Sequence, residues 1–171
     1  MIITEEFKFN FEISYLVYSR VYDAWGSLSD SARSRSRRQI EASVREGGFN
    51  GNSTGLISEK AFETILKQKK GLPISKDERL ALEHPITHKN IAMHCVNSPV
   101  KLSFEEFFNV WFENLVTTYT TNEENQGLRK FQSNYIFGVD CWKKMYEDAG
   151  IVLMERPKLN TKAAKQKYGI I

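Results

Sequence analysis

"SFEEFFNVWFENLVTTYTTNEENQGLRKFQ", residues 103–132, holds both kinds of secondary structure on which this chain must be built. Ser103 and Glu106 stand at capping-box spacing, in which the serine hydroxyl takes the third helical amide and the glutamate reaches back to the serine amide. Phe104, Phe107, Phe108, Trp111, Phe112 and Leu115 then recur at helical intervals. So wide an apolar face reads as core before it reads as a cofactor or base-stacking surface. "VTTYT" follows, β-branched and aromatic, and predicts a short strand. Thr121 and Glu124 repeat the capping spacing and open another helix over "NEENQGLRKFQ". Helix, strand and helix in one stretch predict a mainly α fold with a few short strands, of the α+β class.

On the N-terminal side, "FEISYLVYSRVYDAWG" (11–26) places Phe11, Tyr15, Tyr18, Tyr22 and Trp25 at helical spacing, with Ile13, Leu16 and Val17 as a neighbouring stripe. A widely buried helix is expected there. Gly26 and "SLSDS" break it, and Ser29 or Asp30 caps the next helix, over "SARSRSRRQIEASVR". "EGGFNGNSTG" (46–55), with four glycines, is expected to be a loop. "LISEKAFETILKQKKGLP" reads as an amphipathic helix capped by Ser58 and stopped at Gly71 and Pro73. In "SKDERLAL", Ser75 and Glu78 again have capping spacing, so a short helix is expected to lead into residues 83–95. Towards the C-terminus "CWKKMYEDAG" predicts a helix stopped by Gly150, and "IVLM" a strand.

The 171 residues, 41% hydrophobic, suit one compact domain over 1–156, with the helical segment 11–46 followed by a core at 56–154, and a basic tail over 157–171. No run of about 18 apolar residues occurs, and the first residues carry acids where a secretory signal carries bases. No membrane partner and a cytoplasmic setting are the expectation. P-loop and dinucleotide fingerprints are absent, and the helical pattern excludes the large parallel-sheet enzymes.

The net charge of +3 is modest, but its distribution is uneven. Arg33, Arg35, Arg37, Arg38 and Arg45 lie on the predicted helix near 31–45, with small serines between them that let a phosphate backbone approach. Lys162, Lys165 and Lys167 in the tail form a second basic cluster. Both are candidate nucleic-acid contacts, against the alternative of a solvated helix face.

All three histidines and one of two cysteines fall in "ERLALEHPITHKNIAMHC" (78–95). A zinc site of His84, His88, His94 and Cys95 is disfavoured, because Pro85 bars helical geometry at His84 and the adjacent His94 and Cys95 diverge. The pair Glu83 and His84 has another use. A histidine near neutral pKa can take a proton from water attacking a phosphodiester, and a carboxylate is a hard ligand for Mg2+ or Mn2+. Without chemistry, Glu83, His84 and Pro85 simply end a helix, with His84 favoured by the helix dipole.

"GLPISKDERLALEHP", then "SFEEFFNVWFENLVTTYTTNEENQGL", then "WKKMYEDAGIVL" resemble phage and bacterial nuclease-like proteins related to the HNH, or His-Me finger, endonucleases, over roughly residues 65–154. The residues that carry the likeness are Glu83 and His84, then Thr121, Glu123, Glu124 and Asn125, then Trp142, Tyr146, Ala149, Gly150 and Ile151. The resemblance implies a ββα-metal-like core, DNA cleavage with one divalent cation, His84 as general base, Glu83 as metal ligand, and Asn125 or Glu124 completing the site. Asn97 and Asn109 are alternative partners. The chain departs from the family pattern in placing proline directly after His84, in the length of the interval to Asn125, and in lacking paired Cys-x-x-Cys elements.

The expected function is therefore a small metal-dependent DNA endonuclease of phage or mobile-element type, acting in a bacterial or phage-infected cell. The alternatives are a non-catalytic DNA-binding or host-takeover protein, and an adaptor that binds a host or phage protein. A homodimer is compatible with each.

Overall fold

The computed structural model describes residues 5–48, 51–138 and 141–171. In chain order these form α1 (Glu5–Ala24), a 3₁₀ turn (Trp25–Ser27), α2 (Asp30–Glu46), β1 (Asn52–Ser58), α3 (Glu59–Lys69), β2 (Leu80–Glu83), α4 (His88–Val96), α5 (Phe104–Asn114), β3 (Val116–Thr121), α6 (Asn122–Gln132), α7 (Trp142–Asp148), β4 (Leu153–Glu155) and α8 (Lys162–Lys167). The fold is mainly helical with one small four-stranded sheet, of the α+β class.

The chain divides into two compact units. Unit 1 takes in the described residues of Met1–Asn52, Ile86–Val116 and Ile136–Val139; unit 2 those of Ser53–Pro85, Thr117–Tyr135 and Asp140–Ile171. The segment 157–171, expected as a tail, is thus part of unit 2.

Unit 1 is helical around an aromatic core. Phe11, Tyr18, Phe107 and Trp111 are wholly buried, joined by Ile40, Val44, Ile91 and Cys95. The Tyr18 and Phe107 rings stack at 4.7 Å, and Phe108 meets Phe11 edge-on at 5.0 Å. Aromatic pairs of this geometry add roughly 0.5–1.5 kcal/mol beyond the area they bury. The tyrosine hydroxyls find partners, Tyr18 Oη accepting from the Leu102 amide and Tyr22 Oη donating to the Ser98 carbonyl, whereas Trp111 Nε1 is buried without a hydrogen-bond partner among the described residues. Both α1 and α5 form where the sequence predicts. The second stripe of α1 differs from expectation, since Ile13 and Leu16 are exposed together with Phe9. A single helix against one core buries one face, and the aromatic stripe occupies it.

Unit 2 is built on the sheet, in the order β2-β3-β1-β4. β2 and β3 are antiparallel, with Leu80 opposite Thr121 and Glu83 opposite Thr118. β1 and β4 are also antiparallel, with Ser58 opposite Leu153. Ile57, Ala61 and Phe62 form one apolar cluster, and Leu128, Tyr146 and Ile151 another.

Three expectations are corrected here. Residues 75–82 are not a helix: Ser75 and Glu78 exchange their capping bonds, but within a turn, and β2 follows. A capping box closes any helix-like first turn, and β3 offers residues 80–83 a hydrogen-bonding edge that outweighs continuation. The glycine-rich segment 46–55 is not all loop, because β1 starts at Asn52; residues 49 and 50 lie outside the described residues. The 157–171 segment contains α8, capped by Thr161, and Tyr168 packs edge-on against Phe62 at 5.1 Å.

Candidate active site and nucleic-acid interface

Successive residues of a strand face opposite ways, so Glu83 and His84 at the end of β2 serve different surroundings. Glu83 points inward and is 2% exposed, whereas His84 is half-buried. Tyr146 Oη, from α7, donates to one oxygen of the Glu83 carboxyl. Gln132 Nε2, from the last turn of α6, donates to the other and also to the His84 carbonyl at 2.9 Å. No cationic side chain forms an ion pair with Glu83 among the described residues.

Burial raises the Glu83 carboxyl to about 7, and the bonds from Tyr146 and Gln132 only partly oppose that rise. The Tyr146 phenol is raised well above its ordinary value, by burial first and then by the adjacent Glu83 carboxylate, so it remains a proton donor in this pair.

The partners expected for His84 lie elsewhere. Glu124 is buried, and its Oε2 accepts from Ser58 Oγ at 2.5 Å, from the Thr121 amide at 2.9 Å and from Thr121 Oγ1 at 3.2 Å. It is the closing residue of a capping box joined to β1. Thr121 pairs with Leu80, so α6 starts three residues from Glu83 along β2, roughly 10 Å at the rise of a strand. Asn125, in the first turn, stands about 10 Å along the helix axis from Gln132. The structure brings Gln132 to Glu83 and His84; it does not bring Asn125 or Glu124. Asn97 and Asn109 belong to unit 1.

Gln132 was missed by sequence reading, although a signal exists: it follows the buried Leu128 by four residues and so shares its face of α6. Tyr146 was visible only as part of an aromatic segment.

The other ligand candidates are dispersed. His94 stacks on Phe137 at 4.1 Å, and burial lowers its pKa. His88 lies beside Trp111, and Cys95 is wholly buried, its thiol raised to about 12 by that burial. No group of three or more His, Cys, Asp or Glu among the described residues is arranged to hold a metal ion. Magnesium does not require one, since it binds through one or two carboxylates plus water and substrate phosphate. A buried carboxylate with neutral donors and no cationic partner, beside a carboxamide and the His84 main-chain carbonyl, offers the hard-oxygen donors such an ion takes.

On α2 the arginines divide between two faces. Arg35, Arg38 and Arg45 share the exposed face. Arg33 and Arg37 turn towards an open pocket of about 420 Å³, lined also by Trp25, Asp30, Ser34, Lys89, Met93 and Asn97. Arg38 donates to the Ser34 carbonyl and approaches its hydroxyl, linking the outer face to the pocket rim. In α8, Lys162 and Lys167 are exposed and Lys165 is half-buried.

No helix of the described residues is long and apolar enough to cross a membrane. Compared with known proteins, the chain matches no family model, no curated protein and no solved structure.

Proposed function

We propose that this chain is a small metal-dependent DNA endonuclease, of the phage or mobile-element type that the HNH-like motifs imply, with its centre at Glu83, His84 and Gln132. One observation carries the reading: Glu83 and His84 end the first strand of the antiparallel β2–β3 pair, and α6, which follows β3, returns its last turn to that same strand end. The likeness to a ββα-metal centre lies in the strand pair and the helix that returns to the acidic-histidine step; α4 and α5 intervene between the two strands, which sets this chain apart from a simple hairpin. Glu83 and the Gln132 carboxamide would hold the cation.

A bound Mg2+ or Mn2+ would offset the charge that develops on the phosphate and the leaving oxygen. His84 takes the proton from the attacking water as its oxygen bonds to phosphorus, and the opposite P–O bond breaks. Tyr146 fixes the Glu83 carboxyl and, by remaining protonated, adds no charge beside it. The exposed arginines of α2 and the lysines of α8 hold the phosphate backbone by charge without reading sequence.

The test is cleavage of plasmid DNA with Mg2+ or Mn2+. His84→Ala is expected to lower the rate by about 10²–10⁴-fold, the usual contribution of a general base, with DNA affinity unchanged. Full activity in that variant refutes the reading.

A second reading, non-catalytic DNA binding, is favoured by one observation: both oxygens of Glu83 already accept hydrogen bonds inside the fold. It expects DNA affinity that falls steeply with salt, and no cleavage with any divalent ion.

A further inference from the structure

The pocket on α2 has no part in the hydrolytic centre, yet it is furnished for a ligand. Its walls come from the 3₁₀ turn (Trp25), from α2 (Asp30, Arg33, Ser34, Arg37) and from α4 and its C-terminal cap (Lys89, Met93, Asn97), all within unit 1. Its volume of about 420 Å³ lies in the range of small-molecule sites, roughly 300–1,000 Å³.

The side chains fall into those already held and those still open. The Trp25 ring is fixed at both ends: Nε1 donates to Asn97 Oδ1 at 3.2 Å, and the Arg33 guanidinium lies over the ring at 5.8 Å. Arg33 in turn donates to the Trp25 and Gly26 carbonyls, which makes it a brace for the turn. Arg37 is different. Its side chain is 14% exposed, and its Nε lies 3.3 Å from Glu41 Oε1. The two Nη groups have no hydrogen-bond partner among the described residues and are not closed off from water, so both remain open to a ligand. Lys89, on the facing helix, forms no ion pair among the described residues.

A planar ring held rigid, with an open guanidinium fork and an ammonium beside it, matches a nucleotide: an aromatic base for the ring, a phosphate for the cations. We propose that this pocket binds one nucleotide, with Arg37 and Lys89 taking its phosphate and Trp25 stacking on its base. That the nucleotide belongs to a strand rests on the function proposed above and is supported by Arg38, which bridges from the exposed arginine face to Ser34 on the rim. Stacking requires an unpaired base, so the pocket would give the protein a preference for single-stranded or frayed nucleic acid over intact duplex.

Calorimetric titration of the full chain with adenosine monophosphate, adenosine and inorganic phosphate tests the site. The monophosphate is expected to bind at least about tenfold more tightly than either fragment, because each engages half of the pocket. Lys89→Ala, at an exposed position where folding is not at risk, and Trp25→Leu, checked by thermal melting, are each expected to weaken it at least about fivefold. No binding of the monophosphate by wild type, or equal affinity in Lys89→Ala, overturns the proposal.

The Arg35→Gln/Arg38→Gln/Arg45→Gln variant separates this site from the wider function. If it loses oligonucleotide binding while wild type never binds the monophosphate, the pocket fails and the nucleic-acid function stands. If the monophosphate binds but no oligonucleotide does, the function fails and the pocket stands. Displacement of the monophosphate by oligo(dT), and not by duplex of equal length, is the result expected when both hold.

Discussion

Around α1 and α5, in unit 1, most of the buried side chains are rings and aliphatics, with Phe11, Tyr18, Phe107 and Trp111 at zero exposure and Ser14 a polar exception. Around β2 and β3, in unit 2, the buried residues include Glu83, Thr117, Thr118, Thr120, Thr121 and Glu124. The first interior gains stability from area and needs only shape complementarity. The second must pair most of its polar atoms, since an unpaired buried group costs about 1–3 kcal/mol. Thr54 Oγ1, for instance, lies 3.1 Å from Thr118 Oγ1 and donates to the Thr117 carbonyl. Thr120 Oγ1, also buried, has no hydrogen-bond partner among the described residues. Interiors of the second kind fix directions, which a reaction centre requires, and the candidate centre is found there.

This contrast can be broken by mutation. The largest effect is expected in the aromatic interior, where Phe107→Ala should cost about 3–5 kcal/mol by urea unfolding. A loss below 1 kcal/mol would show that the rings around α5 are loosely packed. In the polar interior Tyr146→Phe removes one bond to Glu83 and, above about pH 7 where that carboxyl is ionised, is expected to cost about 1.5–3 kcal/mol, the range for hydrogen bonds to charged groups.

The two capping boxes allow a matched comparison. Glu106 caps α5 at the surface, whereas Glu124 caps α6 in the interior and also accepts from Ser58. Glu124→Ala should therefore cost about 1–3 kcal/mol, and Glu106→Ala clearly less. Equal costs would mean that burial adds nothing to the cap. Smallest of all, Arg35→Gln should change stability by less than about 0.5 kcal/mol while lowering the salt slope of DNA binding by about 1.

The pH dependence probes the polar interior as well. Burial raises Glu83 from 4.5 to about 7, so the folded chain holds that proton more tightly than the unfolded chain does. Its contribution to stability is fully present below 4.5 and is lost as pH rises through about 7. Glu83→Gln should flatten the stability profile across that window, and thermal melts at a series of pH values would measure it. An unchanged profile would place the carboxyl in water.

Much of the helical fold is legible in the sequence because its signals are local. Ser29, Ser58, Ser103 and Thr121 all cap the helices their spacing predicts. The failures are places where distant segments decide. Ser75 and Glu78 have correct capping chemistry, but residues 80–83 pair with β3, about forty positions away in the chain. Ile13 and Leu16 match the helical period, yet nothing local says which stripe of α1 meets α5. The site shows the same division: Glu83 and His84 are readable as a dipeptide, whereas Gln132 joins them only because α6 returns along the sheet. Arg37 and Lys89 line one pocket from two helices, and no spacing in the sequence announces it.

The most direct test of the central claim is a titration of Mn2+ into wild type and Glu83→Gln, with free ion followed by electron paramagnetic resonance. A carboxylate that serves as ligand predicts one ion per chain in wild type and affinity at least about tenfold weaker in the variant. Equal affinity in the two proteins, or no binding by wild type, would contradict a metal centre at Glu83.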